Sequence, residues 1–232
     1  MKSVYFLSDA HLGCRSIPHD RTRERRLVRF LDGIKDKASA VYLLGDIFDF
    51  WYEYKTVVPR GYTRFLGKLS ELADRGVEVH FFTGNHDIWC GDYLVKECGV
   101  TLHTEPMTVE MGDKVFMLAH GDGLGDPDRK FRFLRAVFRN RLCQRMFSCI
   151  HPRWAVDFGL SWAAHSRLKH GVEGGDPPYL GEDKEYLVRF AKEYLKAHSE
   201  INYFIFGHRH IELDLMLTRS SRVLILGDWI TQ

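Results

Sequence analysis

The sequence predicts an α/β fold, a core of strands alternating with helices, interrupted by a helical insertion. Three observations carry that expectation. Five short apolar, β-like runs, at 4–7, 41–44, 77–82, 115–118 and 203–206, each stop at a polar cluster. Segments with apolar residues at helical spacing separate most of them. After His120 the rhythm changes to consecutive helical segments and then returns. The pattern divides the chain into a core made of 1–124 and 176–232 and an insertion at 125–175.

The first strand leads into a helix over 20–37, with Leu27, Phe30, Leu31 and Ile34 on one face. The second strand precedes a helix over 62–75 that turns Phe65, Leu66, Leu69 and Leu72 inward, and Gly76 stands just past its end. The third strand and a short helix near 92–98 follow. Then come strands around 100–103, 107–111 and 114–118, the last two joined by a Gly112-Asp113 turn. From 128 to 169 the pattern predicts two or more helices with Phe131, Leu134, Phe138, Leu142 and Met146 on one stripe. A glycine-rich loop at 171–181 returns the chain to a helix over 182–198, then to strands 203–206, 212–218 and 222–226. One further strand is expected where the sequence ends at Gln232. Trp51 is expected in the core.

With 45% hydrophobic and 28% charged residues, the composition is that of an ordinary globular protein. A formal charge of +2 on 232 residues argues neither for nor against a nucleic-acid partner. Five cysteines, odd in number and without a C-x-x-C pair, point to reduced thiols in a cytosolic protein. The apolar run at 4–7 is too short for a secretory segment, and no stretch approaches the ~20 apolar residues of a membrane span. The expectation is a protein neither exported nor membrane-spanning.

The polar clusters carry the chemistry. They are Asp9-Ala10-His11, Gly45-Asp46-Ile47-Phe48-Asp49, Gly84-Asn85-His86-Asp87, His120-Gly121-Asp122 and Gly207-His208-Arg209-His210. Strands ending in such residues can gather them at the carboxyl edge of a sheet, where open α/β sheets place their sites. Hydrolysing a phosphate ester requires neutralising charge on phosphoryl oxygens and making hydroxide available near neutral pH. Two metal ions about 3.5–4 Å apart can do both. Asp9, His11, Asp46, Asn85, His120, His208 and His210 supply the mixed oxygen and imidazole donors that suit manganese, iron or zinc. One Asp-x-His alone is as well read as a turn; five ordered clusters after strands are not. Asp87 and Asp122 fit either a loop-bracing carboxylate or direct chemistry.

The order D-x-H, G-D-x-x-D, G-N-H-D, H-G-D, G-H-x-H resembles the calcineurin-like metallophosphoesterase superfamily, over nearly the whole chain. The resemblance implies a four-layer αββα sandwich with two packed sheets. It implies two divalent metal ions, Mn2+ first among the choices. Asp9, His11 and His210 would hold one ion and Asn85, His120 and His208 the other, with Asp46 bridging. It further implies that His86 donates to a phosphate oxygen or protonates the leaving group, with Asp49 accepting from its other ring nitrogen.

The insertion bears on the substrate. Between Asp128 and Lys169 lie ten Lys and Arg residues against two Asp, interleaved with Phe131, Phe133, Phe138, Phe147 and Trp154. A basic, apolar-striped helix suits a membrane surface or an anionic ligand; a solvated basic face on a core-packed helix is the plainer alternative. The lid after H-G-D and the string Gly45–Trp51 resemble the UDP-2,3-diacylglucosamine pyrophosphohydrolases of lipid A synthesis. That branch releases UMP and the acylated sugar phosphate (lipid X). It implies a lipid-linked UDP-sugar as substrate and peripheral contact with the cytoplasmic face of the inner membrane, with no obligate protein partner. By this resemblance Ser166 would meet the sugar, Arg167 or Lys169 a phosphate, and Phe131 the acyl chains. The chain departs from better-known members, which carry Arg in place of His86; an imidazole there favours a proton donor over a fixed cation. Other readings are a soluble phosphodiesterase or nucleotide pyrophosphatase with a different substrate, and a non-catalytic scaffold. A nucleic-acid partner is disfavoured, since the basic residues alternate with large apolar ones.

Overall fold

The computed structural model describes residues 2–15, 20–169 and 179–230. Its first sheet is parallel, in the order β1 (Ser3–Leu7), β2 (Ala38–Leu44), β3 (Glu78–Phe82), β4 (Thr101–His103). The connections contain helices α1 (Asp20–Ile34), α2 (Thr63–Asp74) and α3 (Tyr93–Cys98). The second sheet contains β5 (Met107–Met111), β6 (Lys114–Ala119), β7 (Tyr203–Phe206), β8 (Glu212–Met216) and β9 (Arg222–Leu226), in the order β5-β6-β7-β9-β8. Its three central strands are parallel and its two edges antiparallel.

Side-chain alternation along the strands builds the layers. On β2, Val41 and Leu43 point towards the helices and pack with Leu27, Phe65 and Leu69, while Tyr42 and Leu44 point the other way. There they meet Phe82, Leu118 and Ile205, which fill the space between the two sheets. On the far side Met117, Phe204 and Phe206 pack beneath α7 (Tyr186–Leu195), against Leu187, Val188 and Ala191. The order helices, sheet, sheet, helix is the expected four-layer sandwich.

Most elements fall within a few residues of the sequence expectation. The 62–75 helix stops where Gly76, at φ +75°, carries the chain into a left-handed turn; the Gly76 and Val77 N–H groups donate back to the Ala73 and Leu72 carbonyls. After β9, Asp228 turns towards the site and Trp229 packs edge-on against Phe30. None of the five cysteines forms a disulfide, and no described helix is long and apolar enough to cross a membrane.

Residues of the insertion form α4 (Arg129–Arg139), α5 (Arg141–Ser148) and α6 (Pro152–Lys169). The single stripe expected from Phe131 to Met146 is broken. Asn140 leaves helical geometry and its side chain caps α5, accepting from the Leu142 and Cys143 N–H groups. Phe131, Leu134 and Phe138 consequently line an apolar cavity between the lid and the core, whereas Leu142 and Met146 are exposed. Three side chains outside the lid hold it by donating to its backbone carbonyls. They are Trp89 Nε1 to Phe138 (2.7 Å), the Tyr52 hydroxyl to Gln144 (2.8 Å) and the Tyr54 hydroxyl to Ile150 (3.1 Å).

Candidate metal centre

The five clusters converge where β1, β2, β3, β6 and β7 end. Asp9, His11, Asp46, His208 and His210 all have φ between +44° and +70°. Such a backbone costs roughly 1–3 kcal/mol per non-glycine residue and concentrates at functional sites. Asp and His tolerate it better than most residues, and it bends each loop back so that its side chain faces the common centre. Glycine is required between the loops. A Cβ on Gly45 would lie 2.6 Å from His120 Nδ1, and one on Gly84 would strike the Asp46 carboxylate.

Donor atoms of Asp9, His11 and His210 lie within 4.8 Å of one another, as do those of Asp46, His120 and His208. His11 Nε2 is 3.1 Å from His210 Nε2, and Asp9 Oδ1 is 3.4 Å from the latter. His120 Nε2 is 3.3 Å from Asp46 Oδ2 and 3.2 Å from Asn85 Oδ1. Asp46 Oδ2 also lies 3.9 Å from His11 Nε2, so it stands between the two groups. Cations bound at about 2.0–2.2 Å need ligands about 3–4 Å apart, which these separations match.

The outer ring nitrogens fix what the inner ones can do. His120 Nδ1–H donates to the Leu44 carbonyl at 2.8 Å, and His210 Nδ1 lies 3.0 Å from the Asp228 carboxylate. His11 Nδ1 is 3.3 Å from Asp49 Oδ1. Each acceptor draws the proton to Nδ1 and leaves Nε2 a lone pair aimed at the centre, as metal-ligating histidines require. Asp9 Oδ1 is buried without a hydrogen-bond partner among the described residues, an arrangement costly in a protein interior unless a cation meets it. The residues therefore fit two divalent ions.

The electrostatics agree. Burial opposes the Asp46 charge, yet the His120, His86 and His11 imidazoles outweigh it and hold the carboxyl well below its ordinary range. Asp9 is lowered for the same reason, by His11, His210 and His120 against burial. Burial, then the His120 charge, pushes His208 down to about 3, leaving it neutral and able to ligate.

One expected contact differs. His86 Nδ1 meets the backbone carbonyl of Asp49 at 2.9 Å, not its carboxylate, which is 3.7 Å away and turned beneath His11. Asp49 thus orients His86 through its main chain and His11 through its side chain. Asp87 is a brace: Oδ1 accepts from the Gly84 and Asp46 N–H groups, Oδ2 from those of Ile47 and Phe48. Asp122 is buried and pairs with Arg135 of α4, tying the H-G-D loop to the lid.

An apolar chamber opens at Asn85 and His86 and runs between Phe131, Phe138, Phe158 and Trp162. Phe131 is therefore beside the centre, its ring 5.9 Å from that of His208. The side chains of Ser166, Arg167 and Lys169 lie outside the described residues. Among the described residues, Arg135 is the Lys or Arg side chain in the chamber wall, one of ten in the lid with nothing in the sequence to distinguish it. Asp228 and Trp89 were missed as well. Neither stands in a motif, and each acts through the fold. Trp51, by contrast, is fully buried against Phe48.

A model of the family described as calcineurin-like phosphoesterase matches residues 2–212. A UDP-2,3-diacylglucosamine hydrolase of Porphyromonas gingivalis is 47% identical, spanning 98% of this chain and 90% of that protein. One from Neisseria meningitidis serogroup C is 30% identical over 99% of this chain and 90% of its own length. Among solved structures, a dimetal phosphatase of Danio rerio superposes with a TM-score of 0.48 at 14% identity, over 98% of this chain and 88% of that one. The chain belongs to the calcineurin-like phosphoesterase family, and within it is similar over nearly its whole length to UDP-2,3-diacylglucosamine hydrolases.

Proposed function

We propose that this protein hydrolyses the diphosphate of UDP-2,3-diacylglucosamine to UMP and 2,3-diacylglucosamine 1-phosphate, a step of lipid A synthesis. The observation that carries the reading is an apolar chamber opening directly on Asn85 and His86. A water-soluble diester needs no such lining, whereas two acyl chains do. The names of the relatives point the same way. Asp9, His11, Asp46 and His210 would hold one Mn2+, and Asp46, Asn85, His120 and His208 the other. When bound, the ions supply Lewis-acid charge and activate water.

The chain's own residues orient and protonate. The Asp49 carbonyl can only accept, so His86 carries a proton on Nδ1. Its Nε2 can then donate to the leaving UMP phosphate, or to the oxygen opposite it, when the ring is the imidazolium. Arg135, held by Asp122, presents a fixed cation to a phosphoryl oxygen at the chamber mouth. Mn2+-loaded protein is expected to release UMP from the lipid-linked substrate far faster than it cleaves bis(p-nitrophenyl) phosphate. Turnover of the generic ester alone would discard the lipid assignment. Replacing His86 with Ala should keep both metals and lower kcat about 10²–10⁴-fold, the range of general acid catalysis; loss of metal instead would make His86 a ligand.

The outer face of the lid supports contact with an anionic membrane, here the cytoplasmic face of the inner membrane. Phe133, Leu142, Met146 and Trp154 are each at least 66% exposed, next to Lys130, Arg132, Arg145 and Arg153. Each such side chain gains about 1.5–3 kcal/mol on burial in an apolar phase. Phe133→Glu with Trp154→Glu is therefore expected to lower co-sedimentation with phosphatidylglycerol vesicles by roughly tenfold or more. Unchanged sedimentation would move the membrane contact elsewhere or remove it.

A further inference from the structure

We propose that a polar groove running from His120 along Thr83 to Arg141 and Gln144 is a nucleoside subsite, separated from the apolar chamber by Trp89. The proposal rests on the reading that the substrate is a lipid-linked nucleoside diphosphate sugar, and it states where the nucleoside lies.

Two cavities flank the metal centre. The apolar chamber leaves it at Asn85 and His86. On the other side a small pocket is lined by His120, Asp122 and Thr83, and shares Thr83, Thr104, Glu105 and Arg139 with a groove of about 440 Å³. The volume lies within the usual range of small-molecule sites. Ile88 and Trp89 line both the chamber and the groove, so they form the partition. The Trp89 indole cannot swing aside easily: its N–H is held by the Phe138 carbonyl, and the Tyr52 and Phe147 rings pack at 5.2 and 4.7 Å.

The groove's chemistry is unsuited to an acyl chain and suited to a nucleotide. Arg139 is fixed by the Thr104 carbonyl at 3.0 Å and by Glu105 at 2.7 Å, while its buried Nε has no hydrogen-bond partner. Among the described residues no carboxylate pairs with Arg141. Glu53, which also lines the groove, is already held by Trp51 Nε1 and the Tyr93 N–H at 2.9 and 3.0 Å. The Gln144 side-chain nitrogen donates to the Phe138 carbonyl at 2.9 Å, which fixes its amide. That leaves one N–H and an acceptor oxygen. Uracil offers the complement, an N3–H donor beside a carbonyl oxygen. A substrate with its diphosphate at the metals can then send its acyl chains one way and its nucleoside the other.

The test is calorimetric binding of UMP and of ribose 5-phosphate, which lacks the base, to the full Mn2+-loaded chain. UMP is expected to bind at least about tenfold more tightly. Gln144→Ala and Arg141→Ala should remove most of that difference, since each takes away a hydrogen bond directed at the base, which ribose 5-phosphate lacks. Metal content and melting temperature report that each variant is intact. Equal binding of the two ligands, or unchanged UMP affinity in both variants, would overturn the proposal. Turnover separates this from the substrate reading. A base preference lost in the variants, with no cleavage of UDP-2,3-diacylglucosamine, would uphold the groove and sink the lipid substrate. Cleavage whose KM is unchanged in both variants would uphold the substrate and sink the groove.

Discussion

Replacing Asp46 with Ala is expected to strip both metals and to lower kcat/KM by about four orders of magnitude or more, because metal-assisted charge stabilisation goes with them. Asp46 Oδ2 faces His120 at 3.3 Å and His11 at 3.9 Å, one from each donor group, so no other side chain can replace it. Its charge also sets the protonation that a metal ion must overcome. Burial opposes an imidazolium at His120, yet Asp46 prevails and raises that pKa well above its ordinary value. A cation must displace this proton, so metal uptake by the wild type should release protons and weaken as pH falls. The check is metal content by mass spectrometry together with turnover at saturating Mn2+. An Asp46→Ala protein that retains one tightly bound ion and substantial activity would mean that the carboxylate does not bridge.

Much of this was legible in the chain because two periodicities coincide with one chemistry. Alternation on the second strand already separates Val41 and Leu43 from Tyr42 and Leu44, and the structure sends those pairs to different cores. The ligand-type residues could be read because each follows a strand without a long detour. What escaped has physical causes. Asn140 looks like any polar residue in a helical pattern, and only its capping geometry shows that it divides the stripe. Asp228 meets His210 from the segment after β9, outside every motif. Arg135 is one of ten basic residues in the lid, and the sequence does not show that Asp122 waits for it. The Asp49–His86 contact was expected through the side chain and is made by the main chain, which no residue type reveals.

Asp87 is the second residue whose loss should be severe, and its effect separates support from chemistry. Its two carboxylate oxygens accept from four backbone N–H groups, two each, in the turns that carry Asp46 and Asn85. Burial, with the neighbouring Asp46 charge, pushes its pKa up to about 7, so ionised Asp87 is tolerated only because those N–H groups surround it. Asp87→Ala leaves the donors buried without partners at about 1–3 kcal/mol each before relaxation, and a net destabilisation of roughly 3–5 kcal/mol is expected. The Asp46 backbone, held at φ +52°, would relax, and metal affinity should fall with stability. Asp87→Asn should behave like the Ala variant, because its NH2 would face two N–H groups where an oxygen is needed. Denaturation curves, metal content and turnover per bound metal pair decide the matter. A variant that is stable and fully metal-loaded yet inactive would give Asp87 a direct chemical role. Low stability and low metal content, with normal turnover in the loaded fraction, would make it the brace that its four hydrogen bonds describe.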